Sequence, residues 1–386
     1  MNSGPQSSVA GPVRMRLTRM GFHFVFVTVF TILGSVIRDL NLLTALSGLL
    51  IGVLIVQWRI GRSNLMGLQL ERQLPSEIIA GQPFYLRYPL MNNKVLSGSW
   101  NVRIEEQFAR EGDVYGREVI TPANSIASQS SSVPRFACRL MQRGRYRLRE
   151  LKLVSEFPFG LMHASRSIAV EHDFTVYPEI GRLTGRWQAM LARSQGSQYS
   201  YPQPSVREGE FYGLRSWRNG DRQRWIHWRS SAKLNELAVC QFEQHRQQRL
   251  AVLVDLNPGE NDSTEEFERL ISFAATVANE SSRDPLNRFS MVLSDGFAAS
   301  SDRDRDVRKR ILGRLAVAQP QPGADLSELM ESLAELGTNG AQVAVLSLRT
   351  RDAVAAGCGL VDPRVMWVEL DSENTQSLFV EADHEC

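Results

Sequence analysis

What the sequence lacks narrows its reading first. Its four cysteines, Cys138, Cys240, Cys358 and Cys386, include no C-x-x-C pair and no paired spacing. A disulfide framework is therefore not expected, and a reducing compartment fits better. An excess of charge of one sign is also missing. The 44 Lys and Arg residues stand against 42 Asp and Glu, a net charge of +2. That balance argues against a chain built wholly around nucleic acid, which calls for a strongly basic domain. Apolar residues are not scarce, at 43%, so disorder is not the default. At 386 residues the chain exceeds one compact core and implies two or three domains.

Two long stretches lack charge altogether. Gly21–Ile37 contains no acidic residue, Lys or Arg, and His23 is its one titratable group. After Arg38-Asp39-Leu40-Asn41, the run Leu42–Trp58 is broken only by Thr44, Ser47 and Gln57. Each run lies near the lower limit of the roughly 17–25 residues that cross a bilayer, and in hydrocarbon only a helix satisfies its own backbone groups. The reading is a transmembrane helical hairpin over residues 21–58, with Trp58 as an interfacial aromatic. A buried soluble hairpin is one alternative, and a signal peptide is another for the first run. Arg14, Arg16 and Arg19 precede the pair, and Arg59, Arg62 and Arg72 follow it. The positive-inside rule then puts both ends in the cytoplasm. This predicts a two-pass protein of the inner, cytoplasmic membrane with its globular domains inside. Residues 1–20 are read as a disordered cytoplasmic tail, since Met1–Pro12 is rich in Ser, Gly and Pro.

Residues 64–180 read as short strands between turn residues. Leu68–Arg72, Phe84–Tyr88, Trp100–Glu105, Phe136–Leu140 and Tyr146–Leu151 carry the pattern, and the last strand ends at Val176-Tyr177-Pro178. With no helical run between them, these strands predict an antiparallel β-sandwich-like domain. Phe157-Pro158-Phe159-Gly160-Leu161 reads as a packed turn. Residues 181–206, with Gly196-Ser197-Gln198 and Pro202-Gln203-Pro204, read as a linker.

Residues 207–245 are unusual. Three of the seven tryptophans, Trp217, Trp225 and Trp228, fall within twelve positions. Asn219-Gly220 marks a tight turn. Asp221 is expected to cap a short helix with Trp225, Trp228 and Ala232 on one face. An enzymatic reading gives Asp221 and His227 acid–base work. Six positions apart, they do not share a face of a short helix, and Ser230, Ser231 and Cys240 are not fixed as nucleophiles, so no catalytic residue is assigned. A nucleic-acid reading puts the Arg side chains on phosphates and the Trp rings on bases, but Glu208, Glu210, Asp221, Glu236 and Glu243 dilute the field it needs. Two further readings stand level. Arg–carboxylate pairs and Trp packing knit two domains together, or the segment is a partner-binding surface, where Trp and Arg are favoured. The residues singled out are Glu210, Arg215, Trp217, Arg218, Gly220, Asp221, Arg222, Trp225, Trp228, Ser231 and Lys233.

Residues 246–386 alternate strand and helix patterns. Arg249–Asp255, Phe289–Leu293, Ala341–Leu346 and Val365–Leu370 read as strands. Glu265–Ser282 (with Thr264 as cap), Arg303–Ala318 and Leu326–Leu336 read as helices. Such alternation implies a mostly parallel sheet with helical crossovers, so the fold class as a whole is α+β multidomain.

The dense segment resembles the signature of a bacterial membrane-associated family, domain of unknown function number fifty-eight. The matching positions are Gly209, Glu210, Phe211, Arg215, Trp217, Gly220, Asp221, Arg222, Ile226, Trp228, Ser231, Ala232 and Lys233. Trp217 stands where Tyr is usual and Lys233 where Arg is usual. Arg143–Tyr146, Phe157–Leu161 and Val176–Pro178 resemble the family's upstream blocks. The resemblance implies genes for MoxR-type AAA+ ATPases, and often for transglutaminase-like membrane proteins, nearby; it implies no particular reaction. The C-terminal segment resembles a von Willebrand factor A-like domain. Metal-competent members end their first strand in Asp-x-Ser-x-Ser, and here the residues are Asp255-Leu256-Asn257-Pro258-Gly259. Asp255 remains, Asn257 replaces one Ser, Gly259 supplies no side-chain oxygen, and Val345-Leu346-Ser347-Leu348 offers no second Asp. The metal site reads as degraded, with no metal or cofactor expected. Together these readings predict a membrane-anchored, non-catalytic scaffold or adaptor for cytoplasmic partners, a MoxR-type AAA+ ATPase and its client among them. A hydrolase-like enzyme with a site around the dense segment is the alternative, and a membrane-tethered nucleic-acid binder a further one.

Overall fold

The computed structural model describes residues 9–38, 40–169, 173–194, 211–218, 221, 223–242, 249–258, 263–283, 288–301, 306–323, 341–358, 365–370, 375 and 377–380. It is a mixed α/β structure in two compact units, Met1–Tyr177 and Pro178–Cys386.

The first unit opens with a strand, β1 (Val9–Leu17), followed by two helices, α1 (Arg19–Arg38) and α2 (Asn41–Leu65). The sequence placed 9–17 in a disordered tail. Instead β1 pairs antiparallel along its length with a later strand, from Val9↔Ala169 to Leu17↔Met162. Gly11-Pro12 falls where the register slips between Ala10 and Val13. An edge strand tolerates Pro at such an irregularity, which is why its composition looked like a tail.

Both helices are long and apolar enough to cross a membrane. At about 1.5 Å per residue they span about 30 and 37 Å. Their outer faces are bare: Phe22, Phe26, Phe30, Leu33 and Ile37 of α1 are all exposed. Their shared seam is polar and small. Ser35 Oγ lies 2.8 Å from Thr44 Oγ1, and Thr28 and Thr31 return their hydroxyls to Phe24 and Val27 carbonyls of their own helix.

The rest of the unit is strands: β2 (Leu68–Leu70), β3 (Ile78–Ile79), β4 (Pro83–Arg87), β5 (Leu90–Asn92), β6 (Ser99–Arg110), β7 (Arg117–Ile126), β8 (Ser131–Ser132), β9 (Arg135–Arg139), β10 (Gly144–Ser155), β11 (Met162–Ala169) and β12 (Asp173–Tyr177). Among the described residues β10 is the hub. One edge carries β6, which in turn pairs β7; the other carries β11 along Lys152–Ser155 and β12 along Gly144–Arg147. β2, β5 and β8 form a small sheet, and β4 with β9 another. Alternating burial along β4 sends Phe84 and Leu86 into a core shared with Tyr88, Ile104, Phe108, Leu153 and Phe174. Glu106 is buried there. It accepts from Arg72 Nε and Nη2 at 2.9 and 2.6 Å and from the Tyr88 hydroxyl at 2.7 Å. A buried carboxylate requires such partners.

The foot of the helical hairpin is built into this unit. Thr18 Oγ1 accepts from the Gly21 N–H at 3.0 Å, capping α1, and donates to Gly160 O at 2.7 Å. Gly21 packs so closely that a Cβ there would lie 1.9 Å from Leu161 O. The sequence ended the second apolar run at Trp58, but α2 continues to Leu65 because its polar residues have partners. Gln57 donates to Phe157 O at 3.3 Å and accepts from the Phe159 N–H at 2.9 Å. Asn64 donates to Trp100 O and Ser155 Oγ at 2.7 and 2.8 Å and accepts from the Trp100 N–H at 2.9 Å. Lys94 Nζ donates to Ser63 O and Asn64 O, each at 3.1 Å, placing a cation at the negative end of α2. The Phe157–Leu161 segment is the packed turn the sequence predicted, and the hairpin stands on it.

The second unit begins with β13 (Arg182–Leu183) and α3 (Gly185–Ser194), then β14 (Phe211–Ser216), α4 (Trp228–Leu234), β15 (Ala238–Phe242), β16 (Arg249–Val254), α5 (Thr264–Ser281), β17 (Arg288–Leu293), β18 (Ala298–Ser300), α6 (Val307–Val317), β19 (Gln342–Ser347), α7 (Arg351–Cys358), β20 (Met366–Glu369) and β21 (Phe379–Val380). Residues 181–206 are thus not wholly a linker. β13 pairs β21, and Trp187 of α3 is buried with its ring edge-on to Phe273, centroids 5.3 Å apart. The rest of that stretch, and the helix predicted over Leu326–Leu336, lie outside the described residues. The main sheet runs β18-β17-β16-β19-β20, parallel except for β18. α5 is capped by Ser263, not Thr264: Ser263 Oγ accepts from the Glu266 N–H at 3.2 Å and Glu266 Oε2 from the Ser263 N–H at 2.8 Å.

Candidate functional site

The dense segment forms a hairpin with a short helix laid against it. β14 and β15 pair antiparallel through Leu214↔Cys240, Arg215↔Val239 and Ser216↔Ala238. Beyond the ladder, Arg215 Nη1 and Nη2 donate to the two Asp221 carboxylate oxygens at 2.6 and 2.7 Å. This bidentate pair is joined by the Arg218 N–H, 2.8 Å from Asp221 Oδ2. Above all through Arg215, these bonds hold the Asp221 carboxyl below the usual carboxylate range. It is a fixed anion closing a loop.

Asp221 therefore does not cap a helix, and the expected face of Trp225, Trp228 and Ala232 does not form. Trp225 ends a single 3-10 turn, Gln223–Trp225, and Trp228 begins α4. Between them Ile226, buried, bridges to Val239, and the His227 N–H donates to Ala238 O at 2.8 Å. β15 thus holds the step between the two turns. His227 is the α4 cap: its Nδ1 accepts from the Ser230 N–H at 3.3 Å. Asp221 and His227, paired in the enzymatic reading, serve different parts of the backbone.

Ser231 is buried. Its hydroxyl donates to His227 O at 3.0 Å and accepts from the Ala238 N–H at 2.9 Å, fixing α4 to β15. The Trp217 N–H donates to Leu237 O at 2.7 Å. The Arg224 guanidinium lies 5.0 Å over the Trp225 ring, a cation–π contact. Once these groups are placed, the apolar side chains remain outside. Trp228 is 65% exposed and Leu234 63%, with Leu214, Trp217 and Leu237 also exposed. Arg218, Arg224, Arg229 and Lys233 are exposed too, against one exposed acid among the segment's described residues, Glu236. Glu210, Gly220 and Arg222 lie outside the described residues.

A second cluster sits at the carboxyl ends of β16 and β19. Asp255 is fully buried. Its Oδ2 accepts from Ser347 Oγ at 2.8 Å and from Arg349 Nε and Nη2 at 2.9 and 2.8 Å, and its Oδ1 from the Asn257 N–H at 3.0 Å. With its amide oxygen turned inward, Asn257 accepts from Arg349 Nη1 at 3.0 Å and from the Gly323 N–H at 3.3 Å. Ser294 Oγ accepts from the Leu256 N–H at 2.9 Å. The donor set does not fit a divalent cation: the carboxylate that would bind it already faces a guanidinium, and among the described residues no group of three His, Cys, Asp or Glu converges. Sequence reasoning singled out Asp255, Asn257 and Ser347 but missed Arg349. The available signal was a basic residue two positions past the strand-ending Ser347.

In comparison with known families, residues 213–355 match the model described as Protein of unknown function DUF58. The match supports that family and takes in both clusters. A search of curated proteins finds no match. Among solved structures, the CARDB domain of a Pyrococcus furiosus protein is 15% identical and covers 28% of this chain and 94% of its own, with a TM-score of 0.19. The superoxide reductase (neelaredoxin) of Ignicoccus hospitalis is 16% identical over 28% and 77%, at 0.17. The Pseudomonas fluorescens alkylpurine DNA glycosylase is 12% identical over 37% and 41%, at 0.21. At such scores these likenesses carry no argument about this chain.

Proposed function

We propose that this chain is a membrane-anchored, non-catalytic adaptor of the cytoplasmic membrane. In this reading α1 and α2 cross the bilayer with both ends inside, as the flanking Arg residues favour, and both globular units face the cytoplasm. The strand-only make-up of the first unit supports a sandwich-like domain. The order β18-β17-β16-β19-β20, antiparallel only at β18, supports a von Willebrand A-like sheet. The partner is a protein, a MoxR-type AAA+ ATPase together with its client, held by the β14–α4–β15 surface.

The exposure of Trp228 carries this reading. A large aromatic open to solvent, in a segment that also exposes Leu214, Trp217, Leu234 and Leu237, has the composition of a protein-binding hot spot. The segment's polar side chains Asp221, His227 and Ser231 are meanwhile engaged in holding its own backbone, as scaffolding for a surface and not as reactive groups. The basic rim suits an acidic partner patch and gives a salt-sensitive on-rate.

The test is retention of the purified ATPase on the immobilised, detergent-solubilised chain. Wild type is expected to retain it, and Trp228→Ala to reduce affinity about tenfold or more, as for loss of a hot-spot aromatic. Equal retention by the two proteins, or none by wild type, counts against the adaptor.

A further inference from the structure

Asp255 poses a physical problem. A carboxylate with no solvent exposure must be neutralised in place. At the carboxyl end of a parallel sheet, where such folds bind their ligands, a buried carboxylate is neutralised either by a cationic side chain or by a metal ion. Here the geometry points to Arg349. Its planar fork puts Nε and Nη2 on one carboxylate oxygen and Nη1 on the Asn257 amide oxygen. Ser347, the remaining strand-end hydroxyl, donates to that same carboxylate oxygen. It also accepts from the Arg349 N–H at 3.0 Å, so the segment after β19 folds back to deliver the guanidinium.

We propose that Arg349 is a built-in cation. It occupies the position an exchangeable divalent metal would take, closes the site to such metals, and leaves a latent metal site beneath it. A guanidinium stays charged at any pH the protein meets, so the neutralisation is permanent and needs no ion from solution. Without the guanidinium, Asp255 Oδ2 and the Asn257 amide oxygen lose their cationic donor, with Ser347 Oγ 2.8 Å from that carboxylate oxygen. Mg²⁺ and Mn²⁺ take such ligands and complete their shells with water.

Mg²⁺ and Mn²⁺ titrations test this on the full-length protein in detergent, with calorimetry and the thermal midpoint as readouts. Wild type is expected to show no saturable binding at this site and no change in midpoint. Arg349→Ala is expected to bind one Mn²⁺ and to gain about 2–4 °C at saturating metal, and Asp255→Asn in that background to abolish both effects. Should Arg349→Ala fail to fold, Arg349→Gln replaces it, keeping a donor for Asp255 without the charge. Saturable binding by wild type that Asp255→Asn removes would overturn the proposal. So would a folded Arg349 variant that binds no metal.

Discussion

The foot of the helical hairpin and the β14–α4–β15 segment are built from the same kinds of residue, yet they spend them in opposite ways. At the foot, polar side chains reach across the fold: Gln57 bonds to Phe157 and Phe159, Asn64 to Trp100 and Ser155. Packing at the joint is tight enough that even one Cβ at Gly21 finds no room, although Trp58, Trp100 and Phe159 beside it stay partly exposed. In the dense segment the polar side chains stay local, Arg215 on Asp221 and Ser231 on Ala238, and the large apolar groups point away. A region that satisfies its long-range contacts internally is a joint. One that satisfies only its own backbone and leaves a tryptophan 65% exposed has a face to offer.

Substitutions can break that contrast. The largest effect is expected at Gly21→Ala, whose Cβ would meet Leu161 O at 1.9 Å. Unseating α1 should cost about 3–5 kcal/mol, the range of severe packing errors, read as a fall in the thermal midpoint of the solubilised protein. Asn64→Ala removes the acceptor of the Trp100 N–H and one donor each from the Trp100 carbonyl and Ser155 Oγ, which keep their bond to each other, for a loss of about 2–3 kcal/mol by the same measurement. In the dense segment Asp221→Ala should cost less, about 1–2 kcal/mol, and speed hydrogen exchange in β14 and β15. Asp221 also gives a pH dependence. Its folded carboxyl titrates below its unfolded value, so its contribution is complete above about pH 4 and is lost as pH falls through the folded value. Exchange in the hairpin should quicken below that pH in wild type and not in Asp221→Ala. The smallest stability effect belongs to Trp228→Ala, within about 0.5 kcal/mol as at other exposed sites, although it should be the most damaging of the four to partner retention.

The same contrast decides what was legible in the sequence. The two apolar helices were, because composition alone marks them; the extension of α2 to Leu65 was not, because Gln57 and Asn64 are tolerable only through partners about a hundred and about forty to ninety positions away. β1 was hidden by Gly11 and Pro12 at an irregular edge. The alternation of strands and helices revealed the parallel sheet, whose strands are buried runs of Val, Leu and Ala. In the dense segment the residues that matter were found, but their roles were not. Asp221 could be placed at a turn, yet only the ladder shows Arg215 beside it, and the bridge at Ile226 splits the expected helix in two. Arg349 stands 94 positions from Asp255, and periodicity carries no trace of such a pair.

The most direct test is hydrogen exchange across the full-length protein in detergent, with and without the purified ATPase. The expected result is protection confined to residues 211–242, with the hairpin foot at Gln57–Leu65 and Phe157–Leu161 unchanged. Protection at the foot with the dense segment unaffected would reverse the assignment of joint and face and contradict the account.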